Sequence, residues 1–252
     1  MHKRLNSDEL DLPFRGPIEE IRDLSQGRTN KSTLIRAEGS QWVLRIGSPK
    51  AQQLGINRAR EEIVWRCAAD AGVAPAVAYC SLEREILITE FIDGVHWQPN
   101  ALRDDGNLEK LIDFVEQVHK LKIPIAVTDY YEHAENYWLQ LEAANYRVPD
   151  SIKTMRDHVL RRRTVSAGIK LCHRDITPAN VIDYRGRLYL LDWEYAARGD
   201  PAFDYAAIAN EWDVSTSRLL SGSGTTKADF AVADLLYRYT CALWELLNDS
   251  FN

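Results

Sequence analysis

The residues most able to do chemistry stand close together at His173-Arg174-Asp175-Ile176-Thr177-Pro178-Ala179-Asn180. An Asp and an Asn five positions apart on one tight loop can serve two ends of a single reaction. The Asp175 carboxylate accepts or orients a hydroxyl proton, and the Asn180 amide oxygen ligates Mg²⁺. A polar loop between two elements is the plainer reading of the same residues. Twelve positions later an apolar run, Leu190-Leu191, ends in Asp192-Trp193-Glu194. An Asp at the end of a buried strand either turns the chain or faces the same metal. A carboxylate, an amide oxygen and phosphate oxygens make a suitable set for Mg²⁺, a hard ion that takes few protein ligands.

Such a loop needs elements to hold it. Ile18–Leu24, Thr33–Ala37 and Trp42–Ile46 alternate as strands, with Glu38-Gly39-Ser40-Gln41 as a turn. Asn57–Ala71 is expected to be a helix stopped by Gly72, and Ile86–Thr89 a short buried strand. Helices are expected at Leu108–Leu121, Ala134–Ala144 and Ser151–Arg163. A hairpin is expected through Arg185-Gly186, and Ser221–Thr226 is read as a flexible break. The expected class is α+β: a strand-rich region at 1–93 and a mainly helical one at 94–252.

The motifs resemble the choline kinase/aminoglycoside phosphotransferase superfamily. Leu171-Cys172-His173-Arg174-Asp175…Asn180 carries the likeness, followed by Asp192-Trp193-Glu194-Tyr195-Ala196…Gly199-Asp200-Pro201…Asp204. The Asp-Trp-Glu-Tyr-Ala string is most similar to choline, ethanolamine and thiamine kinases. The resemblance implies a bilobal protein-kinase-like fold, with ATP and Mg²⁺ as cofactors. It also implies a basic residue on the third strand paired with a Glu on the next helix.

Arg45 holds that strand position, and period-2 alternation puts it on one face with Val43, which would line the adenine. Arg45 stands where protein kinases have Lys; a surface Arg on an edge strand is the competing reading. For the helix partner, Glu61 shares a stripe with Trp65 and Ala68. Glu62 instead faces Arg66 as an exposed i, i+4 pair, so Glu61 is favoured. The resemblance assigns Gly27, Thr29 and Asn30 to the phosphates and the backbone of Glu90 and Ile92 to the adenine edge. It assigns Asp175 to catalysis and Asn180 and Asp192 to the metal, with Asp200 and Asp204 holding loops together.

The acceptor is expected to be small, because twelve residues separate Asp192 from Asp204, too few for a segment that docks a peptide. Glu194, Tyr195, Glu211 and Trp212 are the candidate acceptor contacts, since aromatic faces beside a carboxylate suit a cation. Choline or ethanolamine is the first expectation, thiamine the next and an aminoglycoside the third. A kinase fold that binds without catalysing is the non-enzyme alternative.

Composition narrows the partners. The 252 residues carry 31 basic and 37 acidic side chains, a net charge of −6, which argues against nucleic acid. No apolar run follows the basic residues at Met1–Arg4, and none reaches membrane-spanning length. The four scattered cysteines fit reduced thiols. A cytoplasmic chain is therefore expected. Nothing in the sequence bears on oligomeric state.

Overall fold

The computed structural model describes residues 4–5, 12–24, 30–162 and 168–250. These fall into two compact units. One comprises residues up to Val95 together with Ile182–Glu194, the other His96–Val181 and the chain from Tyr195 onward.

The first unit is built on a six-stranded antiparallel sheet. Its strands are β1 (Arg4–Leu5), β2 (Ile18–Asp23), β3 (Asn30–Ala37), β4 (Ser40–Gly47), β5 (Val77–Ser81) and β6 (Ile86–Glu90), in the order β1-β2-β3-β4-β6-β5. One face buries Ile18, Ile35, Leu44, Ile86 and Ile88 with Leu12. Register puts Ser32 and Leu87 opposite Arg45, so Arg45 lies on the other face.

Helix α1 (Arg58–Asp70) follows, its first turn capped by Asn57 Oδ1, which accepts from the Arg60 amide at 2.9 Å. It buries Glu61, Val64, Trp65 and Ala68, the stripe that helical period selects. Strand β5 has no counterpart in the sequence reading. It is a partly buried edge strand with a bulge between Val77 and Tyr79, which breaks the alternation that would reveal it. After β7 (Val95–His96) in chain order, the hairpin β9 (Val181–Tyr184) and β10 (Arg187–Leu190) turns on Arg185 and Gly186, both at positive φ.

The second unit is helical: α2 (Asp105–His119), α3 (Tyr130–Ala143), α4 (Asp150–Arg161), α5 (Ala202–Glu211), α6 (Thr216–Ser223) and α7 (Lys227–Ser250). Helices α3, α4 and α5 pack on α7. Helix α3 starts four residues earlier than expected because Asp129 accepts from the Tyr131 amide and Tyr130 and Tyr131 are buried. The short strands β8 (Lys170–Cys172) and β11 (Ala197–Gly199) pair antiparallel, with Cys172 opposite Ala197.

The break read at Ser221–Thr226 is shorter than expected, with Gly224–Thr226 separating α6 from α7. Ser221–Ser223 close α6, which ends at Gly224 in the left-handed region. Gly222 is there for packing: a Cβ would stand 2.7 Å from Ile112 Cδ1. The four cysteines are free. Among the described residues no helix is long and apolar enough to cross a membrane.

Candidate active site

In the first unit Arg45 is buried, not the edge-strand surface residue its type suggests. Its Nη1 lies 2.5 Å from Glu61 Oε1 and 3.2 Å from Asp192 Oδ1. Burial works against the Arg45 charge, but Glu61, then Asp192 and Glu194, outweigh it and raise its pKa. Burial likewise pushes Glu61 up, and Arg45 and Arg58 more than reverse this, holding it below the usual carboxylate value. Glu62 pairs with Arg66 at 2.9 Å on the outer side of α1.

Glu61 is depressed in the folded state, so its contribution is complete above its unfolded pKa near 4.5 and lost as pH falls through the folded value. Glu61→Gln should cost about 3–5 kcal/mol near neutrality, the scale for unpairing a buried ion pair. Urea midpoints of both proteins should differ by a constant amount down to about pH 5 and converge below it. A gap that closes between pH 7 and pH 5 contradicts this.

Asp192 adopts φ 58, a left-handed conformation that Asp tolerates better than most residues, and this turns the chain sharply after β10. Its carboxylate is about one-third exposed. Glu194 is buried, and its Oε2 accepts from Asn30 Nδ2 at 2.8 Å and Arg58 Nη1 at 3.1 Å. Glu61, Asp192 and Glu194 each offer an oxygen within 4.8 Å of the others, and all three are hard donors of the kind Mg²⁺ takes. Arg58 was not among the residues read as functional; its partners Asn30 and Glu194 lie 28 and 136 positions away.

Of the remaining nucleotide candidates, Val43 is half-buried on the Arg45 face. The Glu90 amide donates to the Ala76 carbonyl at 2.8 Å, and Ile92 is buried. Gly27 and Thr29 lie outside the described residues.

In the second unit the loop after β8 is held from behind. Asp204, fully buried on α5, accepts from the backbone amides of His173 (3.0 Å) and Arg174 (2.7 Å). His119 Nε2 lies 2.9 Å from the same carboxylate. Arg174 sits at φ 72 with its guanidinium 3.9 Å from the Tyr130 ring centroid. These contacts present Asp175 at the loop's half-buried tip. Asn180 Nδ2 donates to Asp175 Oδ2 at 2.8 Å and to the Asp175 carbonyl at 3.0 Å. The amide nitrogen is thereby committed, and the Asn180 oxygen is the end of the side chain not used in this contact.

The acceptor candidates of this unit divide in two. Trp212 is buried, its Nε1 donating to the Ile176 carbonyl at 2.8 Å, so it braces the residue after Asp175. Glu211 is exposed, and its Oε1 accepts from Tyr237 OH at 2.9 Å. Tyr195 is half-buried and accepts from Trp244 Nε1 at 2.9 Å.

The phosphotransferase enzyme family model matches residues 20–231, a span that includes every one of these side chains except Tyr237 and Trp244. The chain belongs to that family. Protein LicA of Haemophilus influenzae is 26% identical over 196 residues, covering 75% of this phosphotransferase family member. The match covers 57% of LicA, so the chain spans less than two thirds of that relative. A thiamine kinase of Shigella boydii is 24% identical over 235 residues, covering 92% of this chain and 80% of that enzyme. Among solved structures, choline kinase LicA from Streptococcus pneumoniae is similar with a TM-score of 0.78 at 20% identity, covering 96% of this chain and 89% of that one. LicA in complex with AMP gives 0.79, also at 20% identity, with coverages of 98% and 90%. The family member thus has the α+β, protein-kinase-like fold that its motifs imply.

Proposed function

We propose that this chain transfers the γ-phosphate of ATP to the hydroxyl of a small cationic alcohol, choline before ethanolamine or thiamine. The observation that carries the reading is the Asn180–Asp175 contact. The Asn180 amide nitrogen donates to the Asp175 carboxylate on one loop. This supports the amide oxygen as the proposed metal ligand and the carboxylate as the proposed acceptor of a hydroxyl proton. Family membership and the likeness to an AMP complex of LicA support an adenine nucleotide as donor.

Asp192 and Asn180 are the proposed Mg²⁺ ligands, a carboxylate and an amide oxygen of the hard type this ion takes. When bound, the ion neutralises charge on the phosphates. The chain's own groups do the rest. Arg45, kept charged and aimed by Glu61, is the proposed phosphate partner. Asn30 and the backbone of Glu90 and Ile92, with Val43, are the remaining proposed nucleotide contacts. Asp175 orients the acceptor hydroxyl and takes its proton as the new ester bond forms. Glu211 and Tyr195 are the proposed acceptor contacts, a carboxylate and an aromatic face for a cation. Trp212 supports the loop, and Glu194 supports the metal end.

ATP consumption over choline, ethanolamine, thiamine and kanamycin tests the assignment. Turnover should be highest with choline. Glu211→Gln should raise the acceptor KM about 3–10-fold, the scale of one cation contact, and leave the KM for ATP within twofold. Efficient turnover of kanamycin alone contradicts the choice of acceptor; no turnover of any alcohol contradicts the function.

A further inference from the structure

Arg58 occupies the first position of α1, where a cation opposes the positive end of the helix dipole. It is nevertheless drawn in, with its side chain 12% exposed. Its guanidinium forks across three segments. Nη1 donates to Glu61 Oε2 at 2.8 Å and Glu194 Oε2 at 3.1 Å, and Nη2 donates to Asn30 Oδ1 at 2.7 Å. Asn30 Nδ2 returns a bond to Glu194 Oε2, which closes a ring of three side chains. Glu85 Oε2 adds a longer contact, 3.9 Å from Nε. The space is kept open by Gly47: a Cβ there would stand 3.0 Å from Arg58 Nη2 and 2.4 Å from Glu85 Oε2.

The network has a consequence for chemistry. Glu61 is shared between Arg58 and Arg45, and Glu194 stands two residues beyond Asp192. A single guanidinium therefore holds both the carboxylate that aims Arg45 and the backbone that leaves Asp192. Lysine cannot replace it, because a point charge does not satisfy three acceptors in a fixed plane.

We propose that Arg58 is a positioning residue for binding of the metal–nucleotide pair, acting on Asp192 through Glu194 and on Arg45 through Glu61. This rests on the assignment of Asp192 and Arg45 under the proposed function.

Calorimetric titration with Mg·ADP, and with ADP in EDTA, tests it without needing an acceptor. Arg58→Gln should weaken Mg·ADP at least tenfold and metal-free ADP by less, so that the advantage conferred by Mg²⁺ shrinks. Arg58→Lys should fall between, and Gly47→Ala, whose Cβ would press on Glu85 first and on Arg58 Nη2 less, should move the same way by a smaller amount. Arg58→Gln/Glu194→Gln should bind no worse than the weaker single variant, because both substitutions break one ring. Thermal midpoints of all five variants, the single Glu194→Gln included, are measured alongside. Equal weakening with and without Mg²⁺, additive losses in the double variant, or lowered midpoints with unchanged affinities would each overturn the proposal. If Arg58→Gln does not fold, Arg58→Lys and Gly47→Ala decide by the same criteria. Native protein that binds Mg·ADP while the Arg58 variants bind it equally well sinks Arg58 alone. Native protein that does not bind Mg·ADP sinks the proposed function and this assignment with it.

Discussion

Asp192→Asn should reduce turnover with Mg·ATP below one-thousandth of the native value while the protein stays folded. The carboxylate supplies the one full negative charge among the two proposed principal ligands, and an amide pair holds Mg²⁺ poorly. Asn is the informative substitution because position 192 sits at φ 58, which Asn tolerates. Asp192→Ala should lose the same activity and also about 1–2 kcal/mol of stability from that backbone strain. Arg45 keeps Glu61 as its partner at 2.5 Å in either variant, so the charge network should survive. Steady-state rates at saturating Mg²⁺ together with thermal midpoints make the check. Near-native turnover by Asp192→Asn would reduce Asp192 to a turn residue.

Asp175→Asn is expected to lower kcat by about 10²–10⁴-fold, the usual share of a general base, with the KM for ATP changed by less than threefold. The hydrogen bond from Asn180 explains why this variant is clean. An amide at 175 still offers an oxygen to Asn180 Nδ2, so the loop keeps its form. Its other end becomes an N–H donor and can no longer take a hydroxyl proton. A variant with intact kcat and a raised KM for ATP would place Asp175 on the nucleotide instead.

Local periodicity carried much of this site. The family resemblance implies a strand cation paired with a helix Glu. Period 2 along β4 set the face of Arg45, and the i, i+4, i+7 stripe of α1 chose Glu61 and turned Glu62 toward Arg66. The Asp175…Asn180 spacing and the apolar run before Asp192 were also visible, because each is contained within a few residues. What escaped depends on distant partners. Arg58 reads as an ordinary first-turn residue until Asn30 and Glu194 are seen around it. Glu194 reads as an acceptor contact beside Tyr195, yet it is buried and paired with the Arg58 guanidinium. Trp212 reads as an aromatic face for a cation, and only the bond to the Ile176 carbonyl shows it as a brace. Within the fold, β5 was hidden by its bulge, and the end of α6 by a Gly and Ser composition that packing against Ile112 overrides.

The central claim is phosphoryl transfer to a small cationic alcohol, and phosphorus NMR of the purified chain with ATP, Mg²⁺ and choline tests it most directly. The γ-phosphate signal should decline as ADP and a choline phosphate monoester grow in equal amounts, and this conversion should stop when EDTA replaces Mg²⁺. ATP that persists, or that yields inorganic phosphate and ADP with no ester, would contradict the account.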